Sequence, residues 1–250
     1  MLFLLIQTGC GFSIFPQSAA FWLTHFGKTQ TTEINLKFSG DSLFRKDSLN
    51  DLPLLLFEND TSKADYFVIL FSGDGGWIDF IDIWAKAFQK KGISVIGFNT
   101  ISHFVKEKTP DQIADDLQRV FKNFSHALKK KKVMIGGYSF GAEILPFAYN
   151  KIDSIYKSVI TKLLLCAPST ADFKVSYNYI YNQSSGTLIL PDIMKIDSEK
   201  FMFFCDNQKY SLCNVLPADK KYNIIRIQSG HMFTGKGQLV SNMITDTIVQ

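Results

Sequence analysis

Residues 132–150 read KVMIGGYSFGAEILPFAYN, and they carry the strongest structural signal in the chain. The first part, Lys132–Gly136, is a short apolar run typical of a buried strand, and an apolar helix is predicted from about Phe140. Between them, residues 137–141 form a G-x-S-x-G sequence. A strand, a sharp turn and a helix are the setting in which this motif presents a serine hydroxyl as a nucleophile. We therefore predict a nucleophile elbow at Ser139.

On both sides of the elbow, apolar runs alternate with amphipathic segments, which is the pattern of an α/β protein. The sequence predicts an α/β-hydrolase fold with a mostly parallel central sheet, flanking helices and no large cap domain. A helix start is predicted at Thr109 and Pro110, where Gln112 completes a capping box. The other predicted strands are Thr32–Phe38, Leu54–Phe57, Tyr66–Phe71, Ser94–Phe98, Leu163–Cys166, Phe201–Phe204 and Ile224–Ile227, and the other predicted helices are Asp79–Lys90 and Gln238–Ile248.

A serine nucleophile needs a base and an acid that orients the base. In α/β-hydrolases the chain order is serine, acid, histidine, and His231 is the only histidine after Ser139. It follows a predicted strand, as a catalytic loop in a parallel sheet should. For the acid we favour Asp206, which comes directly after the strand that ends near Cys205. Asp172, which follows the strand at Leu163–Cys166, stays open as the alternative.

The oxyanion hole should combine the N–H of Phe140 with one from a loop after an earlier strand. Residues 71–77, FSGDGGW, form such a loop. We assign the second donor to the backbone of Asp74, with Gly75 as the alternative, and we predict that Gly73, Gly75 and Trp77 contact the substrate because glycines allow close backbone approach. The Asp74 side chain could also bind a cationic substrate group. The loop lacks the lysine and hydroxyl residue of a phosphate-binding P-loop.

Composition places the chain among ordinary globular proteins, with 250 residues, 46% hydrophobic and 20% charged. A net charge of +4 is too small to indicate nucleic-acid binding. The first twenty residues carry no Lys, Arg, Asp or Glu and end in Ser18-Ala19-Ala20, so we predict a signal peptide over residues 1–20 and a single domain over residues 21–250.

Four cysteines are too few to frame a fold, and their spacing does not indicate a metal site. Export would permit a disulfide between Cys205 and Cys213, but two free buried thiols fit the sequence equally well. The predicted chemistry requires no metal and no cofactor, because ester cleavage needs only the serine, its partners and the oxyanion hole.

The chain resembles the AcvB/VirJ family of bacterial virulence proteins from about Tyr66 to the carboxyl terminus. The resemblance rests on SGDGGW at residues 72–77, on GYSFGAEILPFAYN at residues 137–150, and on Thr109-Pro110, Ser211-Leu212-Cys213 and Gly230-His231 in the same order. The chain is most similar to the short, VirJ-like form. It departs from the family before Ser211, where Asp206 is the only acidic residue in a loop that is usually more acidic.

The resemblance implies an α/β-hydrolase fold, the Gram-negative periplasm and a link to type IV secretion. Members like AcvB are associated with hydrolysis of lysyl-phosphatidylglycerol, and the family's serine and histidine fall on Ser139 and His231. We therefore expect a periplasmic serine hydrolase whose partner is a membrane phospholipid. The gap at Ser169–Glu199 has room for only a small flap, which suits a bulky ester. The alternative is a non-catalytic periplasmic protein that binds type IV secretion components or effectors.

Overall fold

A computed structural model describes residues 49–59, 64–175 and 186–249. The predicted signal peptide at residues 1–20 and the predicted strand at residues 32–38 lie outside the described residues, so both stay predictions.

A seven-stranded sheet forms the centre of the described part of the chain. Its strands are β1 Leu54–Phe57, β2 Tyr66–Phe71, β3 Val95–Phe98, β4 Lys132–Tyr138, β5 Ile160–Cys166, β6 Phe201–Cys205 and β7 Asn223–Arg226. Their spatial order is β1-β3-β2-β4-β5-β6-β7. The edge strand β1 is antiparallel to β3, and all other pairs are parallel. The predicted mostly parallel sheet is confirmed.

Helices cover both faces of this sheet, as a parallel sheet requires. They are α1 Asp79–Lys90, α2 Thr100–His103, α3 Pro110–Ala127, α4 Phe140–Lys151, α5 Ser154–Lys157, α6 Leu190–Ile193 and α7 Gly237–Val249. Helices α1 and α7 pack on one face, and α3, α4 and α6 pack on the other. Successive β2 side chains alternate between these two cores, with Phe67 and Ile69 in one and Val68 and Leu70 in the other.

Local sequence signals placed most elements well. Helix α3 begins with the predicted capping box, in which Thr109 Oγ1 accepts from Gln112 N at 3.2 Å and Gln112 Oε1 accepts from Thr109 N at 2.9 Å. The strand predicted from Leu163 starts earlier, at Ile160, which pairs with Val133 of β4. The polar residues Thr161 and Lys162 hid this extension, because backbone pairing continues where the apolar pattern stops.

The parallel strands end together at one edge of the sheet. Tyr138 of β4 lies opposite Cys166 of β5, which in turn lies opposite Phe204 of β6, and Cys205 lies opposite Arg226 of β7. The loops that carry Ser139, Asp206 and His231 therefore leave the sheet on the same side. This alignment gives the predicted site its location.

The connection between β5 and β6 spans Ala167–Lys200. Within its described residues it contains the four-residue helix α6 and a 3-10 turn at Ser198–Lys200, while residues 176–185 lie outside the description. In the three described ranges, none of the helices has both the length and the apolar character of a membrane span.

Candidate active site

Ser139 lies at the turn between β4 and α4. Its backbone has φ 50° and ψ −120°, a left-handed conformation that L-residues rarely adopt. The Ser139 N–H donates to the carbonyl of Cys166 at 2.9 Å, which ties the turn to the end of β5. The predicted nucleophile elbow therefore has the strained geometry that its motif requires.

The two glycines of the motif are required because there is no room for a side chain at either position. A Cβ on Gly137 would collide with the backbone of Gly141. A Cβ on Gly141 would lie 2.5 Å from the carbonyl oxygen of Ser72 and 2.7 Å from Cβ of Phe71. Helix α4 can begin this close to β2 and β4 only because both positions lack a side chain.

Ser139, His231 and Asp206 form one hydrogen-bonded chain. Ser139 Oγ lies 2.8 Å from His231 Nε2, and His231 Nδ1 lies 3.0 Å from Asp206 Oδ2. A carboxylate on Nδ1 fixes the tautomer that leaves Nε2 free to accept the serine proton. The structure thus brings together the three residues that the sequence singled out as nucleophile, base and acid.

The loops of the acid and the base are tied to each other. Asp206, 3% exposed, directly follows β6, and the next residue donates through its N–H to Ser229 O at 3.1 Å, two residues before His231. Cys205 forms a disulfide with Cys213, which closes the loop that begins with Asp206. Of the two possibilities that the sequence left open for these cysteines, the structure has the bridge.

The electrostatic surroundings of His231 favour its protonated form. Burial lowers the pKa of His231, but the hydrogen bond and the charge of Asp206, together with Glu143 and Asp74, outweigh burial and raise it above 6.5. The Tyr138 hydroxyl donates to the carbonyl of His231 at 2.9 Å, which fixes the loop beside the imidazole. The histidine is therefore held in place and stabilised when it carries a proton.

The predicted oxyanion hole lies at the amino end of α4 and in the loop after β2. Phe140 is the first residue of α4, so its N–H has no partner within the helix. Asp74 is exposed at the cavity wall. The Gly75 N–H already donates to Asp74 Oδ1 at 2.9 Å, which favours Asp74 over Gly75 as the second backbone donor.

The predicted substrate contacts of Gly73, Gly75 and Trp77 have no counterpart in the described cavity wall. Trp77 is 7% exposed and packs its indole over Gly97 of β3 and against Phe57, on the face that α1 covers. It lies in the hydrophobic core because Gly97 leaves room for its ring. The described wall of the cavity includes Asp74 but none of these three residues.

Gly73 instead serves the packing behind the cavity. A Cβ at Gly73 would lie 3.2 Å from the Tyr138 ring and 3.5 Å from Cβ of Ser139. Its carbonyl accepts hydrogen bonds from Thr100 Oγ1 and, at 3.3 Å, from Ser72 Oγ. These contacts hold the loop after β2 against the elbow.

A cavity of about 390 Å³ opens above Ser139 and His231. Its described wall carries the carboxyl groups of Asp74, Glu143 and Asp172 and the amine of Lys174, besides Asp206. Asp172, the alternative acid, lies in this wall, but the carboxylate on His231 Nδ1 is Asp206. Within the described ranges, no group of three or more His, Cys, Asp or Glu side chains is arranged to hold a metal ion.

Sequence reasoning missed Glu143, one helical turn after Ser139. Glu143 is 4% exposed, and its Oε1 accepts from Ser169 N at 3.0 Å and from Ser169 Oγ at 2.6 Å. Burial raises the pKa of Glu143 to about 7, although Ser169 and His231 act in the opposite direction. The signal was present, because Glu143 is the only acidic residue in an otherwise apolar helix start.

Solved structures with the same fold include proteins described as hydrolases. Est1E from Butyrivibrio proteoclasticus is 12% identical with a TM-score of 0.55, covering 78% of this chain and 91% of its own. The hydrolase olei00960 from Oleispira antarctica is 14% identical with a TM-score of 0.55, covering 81% and 95%. XC6422 from Xanthomonas campestris, an α/β serine hydrolase without a lid, is 14% identical with a TM-score of 0.51, covering 78% and 87%. These likenesses establish the α/β-hydrolase fold.

Comparison at the level of sequence gives the family. No curated protein is significantly similar to the chain. The model of the family described as bacterial virulence protein (VirJ) matches residues 65–250, which include every residue of the candidate site. The chain therefore belongs to the VirJ family of bacterial virulence proteins.

Proposed function

We propose that this protein is a periplasmic serine hydrolase that cleaves the aminoacyl ester of lysyl-phosphatidylglycerol. The observation that carries the proposal is the hydrogen-bonded chain from Ser139 Oγ to His231 Nε2 at 2.8 Å and from His231 Nδ1 to Asp206 at 3.0 Å. A serine in a strained elbow with these two partners is equipped for acyl transfer.

In the first half of the proposed reaction, Ser139 Oγ attacks the ester carbonyl carbon while its proton passes to His231 Nε2. The carbonyl oxygen becomes an oxyanion that accepts hydrogen bonds from the N–H groups of Phe140 and Asp74. The carbon–oxygen bond to the alcohol then breaks, and His231 gives its proton to the departing alcohol oxygen. The acyl group remains on Ser139 as an ester.

In the second half, a water molecule attacks the acyl-enzyme and His231 accepts the water's proton. The second tetrahedral intermediate collapses, its bond to Ser139 Oγ breaks, and His231 returns the proton to that oxygen. The products are the free carboxylic acid and the regenerated serine. Asp206 holds His231 through its Nδ1 and stabilises the imidazolium that forms in each half.

Three further observations support the finer parts of the proposal. A wall with the carboxyl groups of Asp74, Glu143 and Asp172 beside one lysine suits a cationic acyl group such as a lysyl ester. The disulfide Cys205–Cys213 is of the kind that persists in an oxidising compartment such as the periplasm. Membership in the VirJ family of bacterial virulence proteins supports the link to virulence.

The substrate is tested with vesicles that contain lysyl-phosphatidylglycerol. We expect the purified protein to release lysine. The rate of lysine release by Ser139→Ala should be lower by a factor of roughly 10³ or more. Vesicles of phosphatidylglycerol alone provide the blank. If the wild-type protein releases no lysine, the lipid assignment is wrong.

The link to secretion is tested in a deletion strain complemented with the wild type or with Ser139→Ala. We expect lysyl-phosphatidylglycerol to accumulate in the deletion strain and only the wild type to restore both lipid composition and secretion. Restoration of secretion by Ser139→Ala would instead favour the alternative, a non-catalytic accessory protein that binds secretion components or effectors.

A further inference from the structure

Glu143 is a buried carboxyl group that the proposed triad does not use. Its N–H donates to Ser139 O at 3.0 Å, so it lies one turn of α4 beyond the nucleophile on the same face of the helix. Helical side chains lean toward the amino terminus, which directs the Glu143 carboxyl group back toward Ser139. The group also forms part of the cavity wall.

The two oxygens of Glu143 have different surroundings. Oε1 accepts both the N–H and the hydroxyl of Ser169, in the loop that follows β5. No donor of the described residues reaches Oε2. A buried carboxylate is costly unless it is paired, so a cation beside Oε2 would stabilise the ionised form. Burial has raised the pKa of Glu143 to about 7, which leaves its ionisation sensitive to such a cation.

The position of Glu143 indicates which part of an ester it would contact. His231 must protonate the departing alcohol oxygen, so the alcohol lies on the side of the β7 loop. Glu143 lies in the first turn of α4 beside Ser139, and Ser169 lies in the loop after β5, the strand next to β4 in the sheet. Because the acyl carbon is bonded to Ser139 Oγ in the acyl-enzyme, the atoms next to that carbon are the ones that a carboxyl group one helical turn from Ser139 can reach.

From this arrangement we propose that Glu143, oriented by Ser169, is the ammonium subsite of the enzyme and binds the α-ammonium group of an α-aminoacyl ester. The inference rests on the proposed function, since it needs an acyl group on Ser139, and it identifies the residue that selects the acyl part. Asp74 and Asp172 add negative charge at the cavity wall without the depth of Glu143.

The test compares esters that share one acyl chain and differ in the position of a cation. They are norleucine ethyl ester with an α-ammonium, the ethyl ester of ε-aminocaproic acid with a terminal ammonium, ethyl caproate with none, and caproylcholine with a cation in the alcohol. Wild type, Glu143→Gln and Asp172→Asn are assayed on each. Glu199→Gln, an exposed glutamate in the turn before β6, is the matched surface control.

We expect Glu143→Gln to lower kcat/KM for norleucine ethyl ester by about 10- to 100-fold, mainly through KM, as the loss of one charge-assisted hydrogen bond predicts. Turnover of the other three esters should fall much less than turnover of norleucine ethyl ester, because a glutamine oxygen can still accept from Ser169. Thermal unfolding of the variant shows separately whether it folds. Asp172→Asn should have a smaller effect on norleucine ethyl ester than Glu143→Gln.

An equal loss on all four esters would assign Glu143 a structural role and overturn the inference, as would no loss on norleucine ethyl ester. A selective loss on caproylcholine, or a larger effect of Asp172→Asn, would also overturn it. If the wild-type protein cleaves none of the esters, the proposed hydrolase function fails first, and the inference falls with it.

Discussion

Each residue of the candidate triad is held by contacts outside the triad. Ser139 is fixed by its strained backbone and by the bond from its N–H to Cys166 O, and His231 by the Tyr138 hydroxyl on its carbonyl. Asp206 is buried next to a disulfide. Such contacts hold the reacting groups in the geometry that the reaction needs, so the protein does not have to reorganise as the transition state forms. This preorganisation is a large part of how enzymes lower the activation barrier.

The pKa of His231 predicts how activity depends on pH. The base must be neutral, and Asp206 raises the pKa of His231, so kcat/KM for a neutral ester should rise with pH to a plateau with a midpoint above 6.5. Asp206→Asn removes the raising charge. Its midpoint should therefore fall, while the plateau should drop by roughly 10³- to 10⁴-fold because the tautomer is lost.

The measurement is the pH profile of kcat/KM for ethyl caproate. Because the pKa of Glu143 is about 7 and lies in the same range, both profiles are repeated in the Glu143→Gln background. An unchanged midpoint in Asp206→Asn would mean that Asp206 does not set the protonation of His231.

Glu143 should make the protein less stable as pH rises. Its pKa is raised from 4.5 when unfolded to about 7 when folded, so its stabilising contribution is complete below pH 4.5 and is lost as pH rises through 7. Glutamine does not titrate. The free energy of unfolding of Glu143→Gln relative to wild type should therefore increase between pH 5 and pH 8, by up to about 3 kcal/mol.

Urea unfolding at both pH values checks this, with Glu199→Gln as the exposed control that should show no such change. An equal difference between wild type and Glu143→Gln at the two pH values would contradict the account of Glu143 as a buried titrating group. A loss of wild-type stability at high pH that Glu143→Gln does not show would instead agree with a Glu143 that is retained for binding and not for stability.

Among the elements, the loop from β6 to the 3-10 turn at Leu212–Asn214 carries the acid of the site. It begins with Asp206, is closed by Cys205–Cys213 and is joined to the β7 loop through Asn207. The bridge thus holds the acid in the geometry in which it meets His231. Reduction would leave the triad residues present but their spacing less fixed.

Removal of the bridge should therefore affect activity more than fold. For the double variant Cys205→Ser with Cys213→Ser, we expect about 2–3 kcal/mol less stability, as loop-closure entropy predicts for a short loop, and a clear fall in kcat. Urea unfolding and ester turnover measure the two effects, and dithiothreitol should reproduce both in the wild type only. If dithiothreitol leaves the kcat of the wild type unchanged, the disulfide does not contribute to the geometry of the active site.

The capping box of α3 offers a test of an element that lies away from the site. Thr109→Ala removes the side-chain acceptor for Gln112 N, which should cost about 1 kcal/mol of stability. Because α3 carries no site residue, ester turnover should stay at the wild-type level. Thermal unfolding measures the loss of stability, and ester turnover measures the activity. A large loss of turnover in Thr109→Ala would mean that α3 supports the site.

The elements that sequence predicted best are those with local signals. The capping box at Thr109, the elbow at Ser139 and the strand-end positions of Asp206 and His231 each follow from neighbouring residues. The role of Trp77 could not be predicted in this way, because its place in the core depends on Gly97 in another strand. The pairing of Cys205 with Cys213 likewise depended on geometry and not on spacing.

At the scale of the whole molecule, the parallel sheet assembles the site from distant parts of the sequence. The carboxyl ends of five strands, β2, β4, β5, β6 and β7, meet at one edge, so that residues from 74 to 231 share one cavity of about 390 Å³. The alternation of strands and helices was enough to predict this edge. The depth of Glu143 and the acidity of the wall required the packed structure.

The central claim is that Ser139 is an activated nucleophile, and covalent labelling tests it most directly. The purified protein is treated with a fluorophosphonate probe, and the adduct is located by mass spectrometry of its peptides. We predict one adduct, on Ser139, in the wild type, none in Ser139→Ala, and much slower labelling in His231→Ala. A wild-type protein that does not label, or that labels elsewhere, would contradict the serine hydrolase mechanism.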